Sequence, residues 1–157
     1  MSTRSYICIK LRGEDKGKTL RCDVSKICPS YDESRFGDVE LNGNYAMVYS
    51  HFDGYPDGVG QVLVDNFNNY ESALNLILGG GMSYPGVGTN WQPYVIRKGE
   101  PWDWNRPLIT DEMPEAEEDY LYIFNLGRWW VKKYHGKDVV DLEAILRGEA
   151  EDPWNED

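Results

Sequence analysis

Tyr49-Ser-His-Phe-Asp-Gly-Tyr-Pro-Asp-Gly-Val-Gly60 decides the fold, because the hydrophobic period changes within it. Before it, residues 44–51 alternate. Tyr45, Met47 and Tyr49 fall on one side and Ala46, Val48 and Ser50 on the other, the period of two expected of a strand. After it, Val59, Val62, Leu63 and Phe67 fall on one stripe at helical spacing, and Tyr70, Ala73, Leu74, Ile77 and Leu78 repeat the stripe in a second helix. Asn68 or Asn69 suits the N-cap of that second helix, and Gly79 suits a left-handed close. Between strand and helix lie Asp-Gly and Pro-Asp-Gly. Pro56 fixes its own φ, Asp side chains bond nearby N–H groups, and Gly54 and Gly58 are the positions expected to need positive φ.

Working outward, residues 4–11 alternate with Ile7, Ile9 and Leu11 on one side, residues 13–17 are turn-formers, and residues 19–24 read as a returning strand, so a hairpin is expected. Residues 28–44 contain Pro29, Gly37 and Gly43 without a sustained period and read as a surface excursion. Residues 79–93 read as loop, 94–98 as a short strand, and 99–119, with Pro101, Pro107 and Pro114, as a long connection. Residues 120–125 and 128–134 form a second hairpin about Leu126-Gly127, its Trp129 and Trp130 on opposite faces. Asp138 or Asp141 then opens a short helix through Leu142, Ile145 and Leu146 that ends at Gly148. The expected architecture is α+β: a mixed, largely antiparallel sheet of about six strands with the two central helices packed on one face. One domain spans residues 1–148. Residues 149–157, with five acids and no base, read as a frayed tail.

The 157 residues are 41% hydrophobic and include six Trp and eleven Tyr, a composition that excludes a disordered chain. No run approaches the ~20 apolar residues that cross a bilayer, and Met1-Ser-Thr-Arg-Ser-Tyr-Ile-Cys has no signal-peptide pattern, so a cytoplasmic protein without membrane contact is expected. Cys8, Cys22 and Cys28 are odd in number and are read as reduced thiols; they lack the close pairing of a zinc site. The formal net charge is −11. Residues 36–96 hold no Lys or Arg, whereas residues 1–26 hold seven bases against three acids. Such a surface repels phosphate backbones, so direct nucleic-acid binding is not expected and a basic protein is the natural partner.

His51 and Asp53 sit two apart where the strand ends, the spacing of a carboxylate that raises the basicity of an imidazole. No Ser or Cys lies in a nucleophile elbow, and His135 is the other histidine, so the first expectation is a turn-locking His51 and no catalytic residue. The alternative makes His51 and Asp53 catalytic, with Tyr55 lining a pocket for a small molecule or nucleotide to be bound or hydrolysed. Asp53, Asp57 and Gly58 match three positions of a calcium loop, but Tyr55 and Val64 fail two others, and no metal is expected. Gly79-Gly-Gly81 and Gly86-Val-Gly88 do not continue into a phosphate-binding motif, and no cofactor is expected. The expected binding residues are Asp53, Tyr55 and Asp57 of the turn, Trp102 and Trp104 of a Pro-bounded loop, and Glu115, Glu117 and Glu118 of the acid-rich segment 111–119.

Thr3-Arg-Ser-Tyr-Ile-Cys-Ile, the His51-Phe-Asp-Gly-Tyr-Pro core with Gly58 and Gly60, the helix from Val62 to Phe67 and the late Gly-Arg-Trp-Trp-Val hairpin resemble a family of small uncharacterised proteins spread through bacterial genomes, phages and mobile elements. The resemblance covers about half of the chain and implies a setting without a mechanism. In that setting the expected function is a non-enzymatic, phage-type or mobile-element protein that binds and modulates a host protein through an acidic face, in its sharpest form an inhibitor of a bacterial defence system.

Overall fold

A computed structural model of the chain describes residues 3–29, 37–100, 105–115, 118–136 and 138–149. In chain order its elements are β1 (Ser5–Lys10), β2 (Thr19–Arg21), a 3₁₀ turn at Val24–Lys26, β3 (Asp38–Glu40) and β4 (Tyr45–Ser50). A π-helical turn at Pro56–Gly60 runs into α1 (Gln61–Asn66), followed by α2 (Tyr70–Leu78). Then come β5 (Met82–Tyr84), a 3₁₀ turn at Gly88–Asn90, β6 (Gln92–Pro93), β7 (Leu108–Thr110), β8 (Tyr120–Asn125), β9 (Arg128–Lys133), β10 (Val140–Asp141) and α3 (Leu142–Leu146).

Eight strands form one sheet in the order β10-β9-β8-β1-β4-β5-β6, with β7 on the β4 edge. β1 lies at its centre, antiparallel to β4 and parallel to β8. The sheet is mixed and largely antiparallel, and the fold is α+β as the periodicities imply, with two strands more than expected. Short β5, β6 and β7 lie in stretches read as loop, and the strand expected at 94–98 is replaced by β6 just before it. Pieces of two or three residues are too short to show a period.

The first hairpin is a correction. The turn at residues 13–17 forms, but β1 pairs with β4 and β8, while β2 pairs with β3 in a separate ribbon. A strand at the centre of a sheet has both edges occupied and is buried on both faces. Ile7 and Ile9 face the helices, and Cys8 packs with Leu121 and Ile123 on the other side. The surface excursion is a correction too. Residues 30–36 lie outside the described residues, but Cys28, Val39 and Leu41 are buried in the main core. They join Cys22, Val24 and Ile27 in the main core, and Leu76, off the expected stripe, is fully buried along with Ile77.

Helix ends follow local chemistry. Asn69 caps α2, its side chain accepting from Ser72 N–H at 2.8 Å, and Asp141 caps α3 in the same way. Gly79 remains in the right-handed region; the left-handed residue is Gly80. The second hairpin forms as read. Trp129 is buried with its indole N–H donating to Phe67 O, and Trp130 faces the other side. Cys8, Cys22 and Cys28 are buried and form no disulfide among the described residues. Among the described residues no helix is long and apolar enough to cross a membrane.

Candidate functional site

The turn after β4 is stitched to three other parts of the molecule. His51 and Phe52 N–H groups donate to Met82 O and Ser83 O, carrying the ladder past the strand end. Gly54 N–H donates to Thr3 O at 2.9 Å, and the buried Tyr122 hydroxyl donates to Gly54 O at 2.6 Å. Val59 N–H then closes the turn onto Asp53 O at 2.8 Å. Neither Gly54 nor Gly58 takes positive φ, contrary to expectation; Asp53 does, at 54°. Glycine is required by close approach instead. A Cβ on Gly58 would stand 2.2 Å from Asp53 O, and one on Gly54 would stand 2.9 Å from Thr3 O.

This backbone separates the two residues paired in the catalytic alternative. His51 Nδ1 shares a 2.7 Å hydrogen bond with the Tyr49 hydroxyl, and its ring lies against Phe52 and Tyr94. Asp53 instead accepts from the Tyr55 hydroxyl at 2.9 Å, and that carboxylate raises the pKa of Tyr55. Burial, then the charge of Arg4, lowers the pKa of His51 against a weaker opposing pull from Glu100. Burial also raises the Tyr49 phenol, with Glu118 adding to it. The neighbouring Tyr94 hydroxyl donates to Glu100 at 2.5 Å, which together with the Arg97 N–H keeps that carboxyl below its ordinary range.

Asp53, Tyr55 and Asp57 are brought together on the outside of the turn, where Phe52 is 40% and Tyr55 39% exposed. Tyr84 joins them from β5, close enough for the Asp53 carboxylate to raise its pKa after burial has done so. Glu115 is exposed in a separate stretch, and Glu118 is half-buried near Tyr49. Trp102, Trp104 and Glu117 lie outside the described residues. Among the described residues no group of three or more His, Cys, Asp or Glu gathers as a metal site.

Sequence reasoning missed Tyr49, Tyr84, Tyr94 and Glu100. Tyr49 was accessible, since a strand places residues two apart on one side, and Tyr49 stands two before His51. Tyr84, Tyr94 and Glu100 are brought in by β5 and by the loop after β6, which carry no local signal. No family model matches the chain, and no curated protein or solved structure matches it.

Proposed function

We propose that the protein is a non-catalytic binding protein whose acid-and-aromatic turn docks on a basic protein. The observation that carries this reading is the exposure of Phe52 and Tyr55 beside Asp53 and Asp57, on a backbone fixed by its bonds to Thr3, Tyr122 and Val59. Fixed aromatic rings anchor an interface at low ordering cost, and the carboxylates steer a cationic partner toward it. No Lys or Arg from residues 36–96 opposes that field. A hydrolase at the same turn lacks support from the geometry, because His51 and Asp53 belong to separate hydrogen-bonded sets.

Glu115 and Glu118, which stand apart from the turn, join the proposal as further acids, and Trp102, Trp104 and Glu117 join it on their sequence alone. The setting, a phage or mobile element acting in a host cytoplasm on a host defence protein, rests on the family resemblance. The test is a pull-down from host lysate at low and high salt, with the parent, Asp53→Asn/Asp57→Asn and Phe52→Ala/Tyr55→Ala. A partner held by the parent at low salt and released by salt and by both double variants is expected. Equal retention by all three at either salt rejects the docking surface. Turnover of a metabolite abolished by His51→Ala assigns the turn to the small-molecule or nucleotide hydrolase instead.

A further inference from the structure

Two neighbouring strands at the centre of the sheet run parallel, and the chain leaves their carboxyl ends in different directions. β1 and β8 stay in register as far as Ile9 and Phe124. Beyond that point the chain leaves β1 toward α2, Arg12 N–H donating to the Tyr70 hydroxyl at 3.0 Å, whereas β8 passes straight into the tight turn at Leu126-Gly127 that leads to β9. Diverging chains at the carboxyl ends of adjacent parallel strands open a crevice, and in open sheets this is where ligands bind. A crevice of about 320 Å³ lies there, with Lys10 and Arg12 on the β1 side, Phe124 to Gly127 on the β8 side and Tyr70 contributed by α2. Small-molecule sites run from about 300 to 1,000 Å³, so this one suits a compact ligand.

The lining is basic in an acidic chain. Against 16 Lys and Arg the sequence carries 27 acids, yet two of the lining residues are cations and none is Asp or Glu. Both cations are set on aromatic rings, Lys10 Nζ at 4.7 Å from the centroid of Tyr45 and the Arg12 guanidinium carbon at 4.1 Å from that of Tyr70. Lys10 makes no ion pair among the described residues. Arg12 meets Glu14 at 3.9 Å with both side chains more than half exposed, a contact of little strength that a better anion displaces. Asp15, the other acid nearby, already accepts from the Tyr70 hydroxyl at 2.6 Å and lies 3.7 Å from Lys18. On the opposite wall the Asn125 side-chain oxygen accepts from Leu126 N–H at 3.0 Å, which leaves its NH2 to donate. Leu126 itself is 82% exposed at φ 56°, an apolar side chain held in the left-handed region and left largely in water. Strain of that kind at the rim of a crevice points to contact with a ligand rather than to packing.

We propose that this crevice binds a small organic anion. Lys10 and Arg12 take its carboxylate or phosphate head, the Asn125 NH2 donates to the same head, and Leu126 and Tyr70 cover an apolar body. An inorganic anion leaves Leu126 unused, and an uncharged molecule leaves two cations unmatched. Two cations and one carboxamide suit a single anionic head rather than the repeated charges of a polymer. The site is independent of the turn at residues 51–57: Lys10 lies opposite Tyr45 at the start of β4, and the turn follows the far end of that strand.

The test is a heteronuclear NMR titration of the full, nitrogen-labelled chain with naphthoate, naphthyl phosphate and the uncharged naphthalene carboxamide, each to about 5 mM so that millimolar affinity registers. Both anions are expected to shift the backbone amide signals of Leu126 and Gly127 progressively, and the tighter of the two identifies the preferred head. The carboxamide should bind the parent about tenfold more weakly or worse, and the anions should lose about the same in Lys10→Gln and in Arg12→Gln, because each change removes a charged hydrogen bond. Leu126→Asn should weaken binding while the fold keeps or gains stability, a combination that a merely structural leucine would not give. Lys132→Gln removes a charge opposite Leu121, at the other end of the sheet, and should bind like the parent. Circular dichroism on each variant confirms the fold. Absence of shifts at Leu126 and Gly127 with either anion overturns the proposal. So does equal binding of the carboxamide, or unchanged affinity in both Lys10→Gln and Arg12→Gln.

Discussion

Gly58 lies where a single methyl group has nowhere to go. Its Cβ would stand 2.2 Å from Asp53 O, a backbone atom already held by Val59 N–H, so the clash cannot be relieved by a side-chain rotation. Gly58→Ala is expected to cost about 2 to 4 kcal/mol, read as a lower urea midpoint; a loss under about 0.5 kcal/mol would mean that the turn relaxes freely. His51 gives a pH dependence of definite sign. Its folded pKa is lowered below the ordinary 6.5, first by burial, so on acidification the unfolded chain takes the proton first. Stability is therefore full above about pH 6.5 and falls as the pH drops from there to the lowered folded value. Glu100, also lowered, has its own loss in more acid solution, below its ordinary 4.5. Urea titrations from pH 7.5 to 5 should show the first decline in the parent and its absence in His51→Gln. The sequence made the turn legible because Asp-Gly and Pro-Asp-Gly have local causes. It could not say which residue takes positive φ, since that depends on how Thr3 and Tyr122 grip Gly54.

Among the elements, the β8–β9 hairpin was the easiest to read and contains an unfavourable residue. Leu126 and Gly127 take φ of 56° and 76°, the two left-handed positions of a type I′ turn. Leucine pays for that conformation by about 1 to 2 kcal/mol, and at 82% exposure it recovers little by burial. Leu126→Asn is expected to stabilise the protein by about 1 kcal/mol and to raise Tm by about 2 to 4 °C; an unchanged or lower Tm would show that the leucine is held by contacts of its own. The helices were legible from their stripes and caps, because the 3.6 period of α2 and the cap at Asn69 lie within a dozen residues. The partner of β1 was not. Neighbouring strands pair most of the time, which favours β2, but alternation marks a strand without naming its neighbours. A second sign was available: Ile7, Cys8 and Ile9 are apolar in succession, as suits a strand covered on both faces.

At the scale of the whole molecule, like charges are in large excess. With a net charge of −11 the folded state carries self-repulsion that salt screens, so Tm should rise between about 10 mM and 300 mM NaCl before specific ion effects enter. A flat response would mean that the bases of residues 1–26 and 120–137 already balance the field locally. The parallel pairing of β1 with β8 has a consequence for synthesis. Ser5 lies opposite Tyr120, and the adjacent Arg4 and Asp119 are 115 positions apart. At ~5 to 20 residues per second, a ribosome finishes β1 roughly 6 to 23 seconds before β8 exists. Until then the strand that ends at the centre of the sheet waits with one edge unpaired and Cys8 without Leu121 and Ile123 to cover it, so the sheet closes late and the nascent chain depends on what shields that edge in the meantime.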